Sequence, residues 1–333
     1  MKKQITNFLC TVLALCLLPV ANIRATTAAT FDFMISPAQE GLLTVGSNEK
    51  YGYIGCTGNL VISCEYDNAY GFSDGLAAVQ KDGKWGYIDQ SGSLVLPCQY
   101  DYAHDFSGGL AYIELDDTLR CINKAGGLIF LCQYDKALPF SEGFSCVQIN
   151  RKWGYIDQTG KSIISCQYES AASFSDGLAA VQKNGKWGYI NQTGKAAISC
   201  QYESAASFCG GLAAVQENGK WGYIDQTGMT IIPCQYESAA SFHDGLAAVQ
   251  KNDQWGYINI VNTLVIPCKY DQADSFLDGL ARVKQNSQYG CIDKTGKLIV
   301  PCEYDQLAIC SGNILCLQNG YLQVFDQTGQ RIR

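Results

Sequence analysis

A Trp-Gly motif recurs at a spacing of 34 residues, or a multiple of it, and this period constrains the fold more than any other feature of the chain. Eight cysteines keep the same interval without an insertion or deletion. Units repeated at such a period bury their apolar faces against their neighbours, so the period predicts one all-β repeat domain. The tryptophans are Trp85, Trp153, Trp187, Trp221 and Trp255, and the cysteines are Cys64, Cys98, Cys132, Cys166, Cys200, Cys234, Cys268 and Cys302.

The period divides the chain into three parts. Residues 38–333 form the array, with eight full units up to residue 309 and a shortened ninth unit over 310–333. Residues 26–37 precede the first unit, and we expect them to cap the end of an open array, because terminal repeats need such protection. Residues 1–25 have a different composition and form the third part.

The first 25 residues predict a secretory signal peptide. Lys2 and Lys3 precede an apolar run from Phe8 to Val20, and small residues follow it. The run is shorter than the roughly 20 residues that span a bilayer, so no membrane span is expected after cleavage. The expected location is therefore outside the cell or at the cell envelope.

The charge of the chain excludes one class of partner. Its net charge is −7, and removing the three cations Lys2, Lys3 and Arg24 with the leader leaves −10. A surface of this sign repels phosphate backbones, so we expect no nucleic-acid partner.

Each unit begins with a predicted β-hairpin. Asn184-Gly185 is the dipeptide that favours a type I′ turn, and apolar strands flank it. This turn places Gln182 opposite Trp187 and Val181 opposite Gly188. Period-two alternation then makes both faces of the hairpin apolar, so both must be covered by neighbouring units.

A third strand is predicted over residues 162–168, after a turn at Asp157-Gln158-Thr159-Gly160. Prolines occur in the equivalent strands, which indicates an edge strand or a bulge. We interpret the remaining segment, 169–174, as a linker or a helical turn. These units predict three-stranded meanders wound into an open β-solenoid or superhelical array. A closed β-propeller-like ring is the alternative, and its blades usually have four strands in about 40 to 45 residues.

The unit resembles the WG-repeat family (WG-containing repeat) of bacterial proteins. The resemblance rests on Trp-Gly followed by Tyr-Ile-Asp, a Thr-Gly turn, Ile-Pro-Cys-x-Tyr and Phe-Ser-x-Gly-Leu-Ala, and it covers the chain from about residue 38 onward. In the third unit Leu119-Arg120 replaces Trp-Gly. The resemblance implies a secreted or envelope-associated array, with no reaction common to the family.

The five tryptophans are the candidate ligand-binding residues. They form either a ladder on which sugars stack or the largest core residue of each unit, and the small residues opposite them favour the core. The eight cysteines have three interpretations: metal ligands, disulfides, or buried free thiols. One thiol per unit does not supply the four convergent ligands of a structural zinc site, and buried free thiols are favoured. We therefore expect no metal and no cofactor.

Catalysis has little support in the sequence. His104 and His243 are the only histidines, and they occupy different positions of the repeat. We expect a secreted, non-enzymatic scaffold that interacts with a protein or with the cell envelope. A carbohydrate- or cell-wall-binding module is the alternative.

Overall fold

The protein is a closed β-propeller with nine blades, and the open solenoid predicted from the sequence is wrong. The computed structural model describes residues 30–333, except for the side chains of residues 36 and 37. The predicted signal peptide lies outside the described residues. Within these residues, no helix is long and apolar enough to cross a lipid bilayer.

Each of the first eight blades is an antiparallel sheet whose four strands are paired in chain order, and the ninth has three. The first strands are Phe33–Gln39, Asn68–Ala69, Tyr102–Ala103, Lys136–Ala137, Ser170–Ala171, Ser204–Ala205, Ser238–Ala239, Gln272–Ala273 and Gln306–Cys310. The second strands are Leu42–Ser47, Leu76–Lys81, Leu110–Leu115, Phe144–Ile149, Leu178–Lys183, Leu212–Glu217, Leu246–Lys251, Leu280–Gln285 and Asn313–Gln318. The third strands are Lys50–Gly55, Lys84–Asp89, Thr118–Asn123, Lys152–Asp157, Lys186–Asn191, Lys220–Asp225, Gln254–Asn259, Gln288–Asp293 and Tyr321–Phe325. The fourth strands are Leu60–Tyr66, Leu94–Tyr100, Leu128–Leu131, Ser162–Tyr168, Ala196–Tyr202, Thr230–Tyr236, Leu264–Tyr270 and Leu298–Tyr304.

The first strand of each blade was not predicted from the sequence, and its omission explains why the predicted open array was wrong. In blade 5 it is only two residues long, Ser170–Ala171, and pairs with Gln182 and Val181. It lies in the segment that the sequence suggested was a linker or a helical turn. Because this strand is so short, a blade of four strands fits within 34 residues, fewer than propeller blades usually need.

The predicted hairpin register is confirmed. Gln182 pairs with Trp187 and Val181 with Gly188, and Asn184 and Gly185 both have positive φ, as a type I′ turn requires. Sequence and structure agree here because the turn dipeptide and the apolar alternation specify the same pairing.

The apolar residues on the two faces of each sheet pack into two different interblade cores, as the sequence predicted. In blade 5, Ala179, Val181 and Ile190 pack against residues of blade 4 such as Tyr155. On the opposite face, Leu178, Ala180 and Tyr189 pack against residues of blade 6 such as Phe208. A sheet with no polar face is stable because a blade covers each side.

The glycine of the Trp-Gly motif allows two strands to approach closely. A Cβ atom at Gly188 would lie 2.6 Å from the backbone nitrogen of Cys200 and 2.6 Å from the carbonyl oxygen of Ile198. The fourth strand is irregularly paired at this point, in agreement with the predicted bulge. Any side chain larger than hydrogen would push the two backbones apart.

The two ends of the described chain meet and close the ring. The Phe31 N–H donates to the Gly320 carbonyl at 2.9 Å, and the Met34 N–H donates to Gln306 Oε1 at 2.6 Å. A disulfide joins Cys56 of blade 1 to Cys310 of blade 9, with their Cα atoms 5.1 Å apart. The predicted cap covers residues 26–37, of which 30–37 are described. Residues 33–37 begin the first strand of blade 1, and Thr30 and Phe31 pair with blade 9, so this part helps to close a ring that has no open end.

Candidate functional site

The two faces of the propeller carry different turns. We call the face with the turns between the first and second strands the lower face, and the face with the Asn-Gly hairpin turns the upper face. On the lower face each blade is bonded to the next: Ser175 Oγ donates to the Phe208 carbonyl at 2.7 Å, and the Gly211 N–H donates to Asp176 Oδ2 at 2.8 Å. On the upper face, the Gly185 N–H donates to Glu169 Oε2 at 2.8 Å. The turn residues are therefore structural in the regular blades.

Departures from the repeat gather around one cavity of about 250 Å³, the blade 7–9 cavity. Its lining includes His243 of blade 7, Asp274, Leu277 and Arg282 of blade 8, and Ile309 of blade 9. His243 and Leu277 occupy the same position of the repeat, where blade 5 has a serine. At the positions of Asp274 and Arg282, blade 5 has alanine. Substitutions distant in sequence thus meet at one place.

Arg282 is held by several partners in this cavity. Its Nε donates to Asp274 Oδ2 at 2.7 Å and its Nη1 donates to the Leu307 carbonyl at 3.1 Å. The guanidinium carbon also lies 5.0 Å from the centre of the Tyr289 ring. The planar guanidinium therefore connects blade 8 to blade 9 and provides one charged wall of an otherwise largely apolar cavity.

His243 lies beside a thiol that the sequence reasoning did not single out. Its Nε2 is 3.9 Å from Cys209 Sγ, and that thiol also donates to the Phe242 carbonyl at 3.5 Å. Burial raises the pKa of the Cys209 thiol, whereas a nucleophilic cysteine needs a lowered pKa. The pair therefore lacks the electrostatics of a cysteine–histidine catalytic dyad.

Three apolar side chains on the same lower face are exposed. Ile260 is 53% exposed, Val261 75% and Leu277 45%. The equivalent residues of blade 5 are polar: Gln192, Thr193 and Ser175. Single exposed apolar residues are ordinary, but replacement of polar repeat residues on one face of two adjacent blades favours a contact surface.

The structure distributes the five tryptophans and does not bring them together. Each packs in a different interblade cluster, one each for Trp85, Trp153, Trp187, Trp221 and Trp255. Trp85 is 4% exposed and stacks on the Tyr70 ring at 4.9 Å, whereas the other four are half-buried. These positions favour a packing role over a continuous sugar-stacking ladder.

The eight cysteines of the ladder all carry free thiols and lie in the fourth strands or, for Cys132, just after one. Cys200 is half-buried, and its thiol donates to the Val181 carbonyl at 3.7 Å. The sequence reasoning missed the disulfide, which lies outside the ladder. Register gave only a partial signal, because Cys121, Cys146, Cys209, Cys291 and Cys316 also lie outside the ladder.

His104 lies far along the chain from His243 and in a different setting. Its ring is 4.9 Å from that of Tyr102, and its backbone carbonyl accepts a hydrogen bond from the Tyr87 hydroxyl at 2.6 Å. Burial lowers the pKa of the His104 imidazole. Among the residues described, no three histidine, cysteine, aspartate or glutamate side chains are grouped so as to hold a metal ion.

A family model described as "WG containing repeat" matches the chain in eight consecutive segments: residues 51–85, 85–118, 120–153, 153–187, 187–221, 221–255, 255–289 and 289–314. No curated protein matches the chain significantly.

Solved structures show similarity of fold. A crystal structure of a eukaryotic initiation factor aligns with a TM-score of 0.61 at 14% identity, over 89% of this chain and 96% of the other. Hsv2 of Kluyveromyces lactis aligns with a TM-score of 0.43 at 7% identity, over 78% of this chain and 94% of the other. The extracellular domain assigned to the hybrid two component system BT4673 of B. thetaiotaomicron aligns with a TM-score of 0.39 at 11% identity, over 92% and 55%. At these identities the similarity concerns the fold alone.

Proposed function

Since the chain belongs to the WG containing repeat family, we propose that it is a secreted, non-enzymatic propeller that binds a protein of the cell envelope through the lower face of blades 7 and 8. Propellers commonly present ligand-binding surfaces on a rigid scaffold, but the fold does not specify the partner. The proposal therefore rests on the residues that distinguish these blades from the regular ones.

The observation that carries the proposal is that apolar residues replace polar ones at three exposed positions on the lower face of blades 7 and 8: Ile260, Val261 and Leu277. Leu277 also lines the blade 7–9 cavity, beside the ion pair of Arg282 and Asp274. Exposed apolar residues together with an arginine are typical of protein contact surfaces, which are enriched in arginine and depleted of lysine. Equivalent residues of blade 5 are polar, so the fold itself does not require these side chains.

Two features support secretion. The first 25 residues have the charge and hydropathy pattern of a signal peptide. The Cys56–Cys310 disulfide agrees with this, because disulfides persist in oxidising compartments outside the cytosol.

Packing and electrostatics support a binding function over catalysis or sugar binding. The Cys209–His243 pair has a thiol whose pKa burial raises, so it is not poised as a nucleophile. The tryptophans that suggested carbohydrate binding pack in five separate interblade clusters. A ladder for a glycan chain needs rings along one continuous surface.

The test replaces the three apolar residues by the residues of blade 5: Ile260→Gln, Val261→Thr and Leu277→Ser. We expect this triple variant to keep the thermal stability of the parent and to lose at least about tenfold in binding to washed cell envelopes of the source organism, measured by co-sedimentation. Blades 5 and 6 carry the repeat residues at all or most of these positions, so the fold accommodates them.

The control variant is Leu94→Ala with Val95→Ala, at the outer edge of blade 2. These residues are 55% and 41% exposed, and blade 5 has alanine at both positions. The control should bind envelopes as the parent does. Equal binding by the triple variant, or equal loss in both variants, would show that the lower face of blades 7 and 8 is not the contact surface.

A further inference from the structure

A second cavity, of about 270 Å³, lies between blades 1, 2 and 3, on the other side of the ring junction. Its lining includes Gln39, Leu42 and Thr44 of blade 1, Tyr70 of blade 2 and Asp105 of blade 3. Three consecutive blades converge on one cavity only near the axis of a propeller. We therefore place this blade 1–3 cavity beside the central channel.

The carboxylate of Asp105 lines this cavity and is partly buried. Its Oδ1 is buried and accepts no hydrogen bond from any residue that the structure describes. The equivalent residues are Gly71 in blade 2 and Ser173 in blade 5, so the charge is not required by the repeat. A buried carboxylate oxygen without a hydrogen bond is costly, and a cation beside it would remove that cost.

The charged groups around Asp105 do not provide that cation. The ionisable side chains that act on it or feel its charge are the phenols of Tyr53, Tyr70 and Tyr87, which are neutral or negative. Burial raises the pKa of the Asp105 carboxyl, in agreement with the absence of a neighbouring positive charge. Asp105 therefore has no cationic side chain beside it in the described part of the chain.

Tyr70 forms a rigid aromatic wall. Its ring stacks on Trp85 at 4.9 Å with an angle of 21° between the planes, and its hydroxyl is 2.6 Å from that of Tyr102. Blade 5 has Ala172 at the position of Tyr70, so the aromatic ring is a departure from the repeat. Cations bind favourably to the faces of such rings.

The amide of Gln39 reaches into the same region because residue 71 has no side chain. A Cβ atom at Gly71 would lie 1.6 Å from Gln39 Oε1. The buried Thr44 adds a hydroxyl, which can accept a hydrogen bond. Departures in three different blades thus combine: a carboxylate, an amide, a hydroxyl and an aromatic ring.

We propose that the blade 1–3 cavity binds a small organic ammonium ion, with Asp105 as its counter-ion and Tyr70 as its aromatic wall. A primary ammonium group has three N–H donors for the oxygen acceptors of the cavity. A quaternary ammonium ion has none and would bind through the Asp105 charge and the Tyr70 ring alone. Leu42 and Ile35 would contact the hydrocarbon part of either ligand. The volume is near the lower end of ligand pockets, which begin at about 300 Å³, and so selects a compact amine. This site is distinct from the lower-face surface of blades 7 and 8.

The test is isothermal titration calorimetry of the full chain with cadaverine, with choline, and with 1-pentanol as an uncharged control. We expect saturable binding of at least one of the two cations and none of pentanol. Asp105→Asn keeps the shape of the side chain and should weaken binding by about tenfold or more, because it removes a charge-assisted hydrogen bond. Tyr70→Ala, which introduces the residue of blade 5, should weaken it by about threefold or more.

The matched control is Asp74→Asn. Asp74 is a carboxylate of the lower face whose Oδ2 accepts from the Gly109 N–H, and it does not line the cavity. Unchanged affinity in this control assigns the loss in Asp105→Asn to the site. A peptide with a single lysine distinguishes the sources: tighter binding of the peptide than of cadaverine assigns the ammonium group to a partner protein.

Three results would overturn the proposal. They are no binding of any amine at millimolar concentration, equal affinity in the parent and in Asp105→Asn, and tighter binding of Ca²⁺ or K⁺ than of either amine. A folding defect is separable from these, because removal of a buried unpaired charge should raise the melting temperature of unliganded Asp105→Asn. A lowered melting temperature would show that Asp105 already has a structural partner.

Discussion

The disulfide between blades 1 and 9 should contribute much of the stability of the closed ring. It joins residues 254 positions apart, and cross-linking so long a loop restricts the unfolded chain by an amount worth about 5 kcal/mol in the chain-entropy model. Measured effects are often smaller, and typical values are about 2 to 4 kcal/mol. We therefore expect Cys56→Ala with Cys310→Ala to lower the free energy of unfolding by about 2 to 5 kcal/mol.

Urea denaturation with and without dithiothreitol measures this contribution. Reductant should destabilise the parent and leave the double variant unchanged. Cys200→Ala is the matched control, because Cys200 carries a free thiol and its variant should keep the full sensitivity to reductant. Two results would refute closure by this bond. One is a parent whose stability does not change with reductant. The other is a parent in which the thiols of Cys56 and Cys310 both react when the chain is unfolded without reductant.

Three further predictions follow from burial and backbone geometry. Gly188→Ala should lower the free energy of unfolding by about 2 to 3 kcal/mol in urea denaturation, because its Cβ atom would meet the backbone of the fourth strand. Its control, Lys186→Ala at the exposed turn, should change that free energy by no more than about 0.5 kcal/mol. Trp85→Ala should cost about 3 to 5 kcal/mol and Trp187→Ala less, because only the first ring is fully enclosed; equal costs in thermal melts would contradict this. Burial raises the pKa of Asp105 in the folded state, so the parent loses stability as the pH rises through that pKa. The melting temperature of Asp105→Asn should therefore exceed that of the parent at pH 8, and the difference should narrow towards pH 4. A difference in melting temperature that does not depend on pH would count against a buried carboxylate.

The local structure of a blade could be predicted from the sequence, because local signals specify it. Asn184-Gly185 determines the hairpin register, and Gly188 marks the close approach of the fourth strand. The strand Ser170–Ala171 could not be recognised by periodicity, since two residues have no period. Without this strand the unit appeared three-stranded and the ring appeared open.

Closure itself depends on information that a single unit does not contain. The angle between successive blades is set by interblade packing, and a small change in that angle distinguishes a ring from a superhelix. Cys56 in the first blade and Cys310 in the last were a partial signal in the sequence, because five other described cysteines also lie outside the ladder. A pair of this kind at the ends of an array favours a ring.

The candidate sites were visible only in part for a related reason. His243, Arg282 and Asp105 can each be recognised from the sequence as departures from the repeat. Which departures share a cavity depends on the order of blades around the axis and on the path between strands. The sequence therefore predicts that these positions differ, and the structure gathers them into two cavities.

Both cavities flank the ring junction, and this position connects stability to binding. A ring of identical blades presents the same surface at every blade, so a ligand that binds once requires blades that differ from the rest. Blades 5 and 6 keep the repeat almost unchanged, whereas Asp274 and Arg282 lie just before the junction and Tyr70 and Asp105 just after it. The Cys56–Cys310 bond joins blade 1, which lines one cavity, to blade 9, which lines the other. Loss of this bond should therefore affect both cavities before it affects the interblade cores of blades 5 and 6, where each sheet face is covered by a near-identical neighbour.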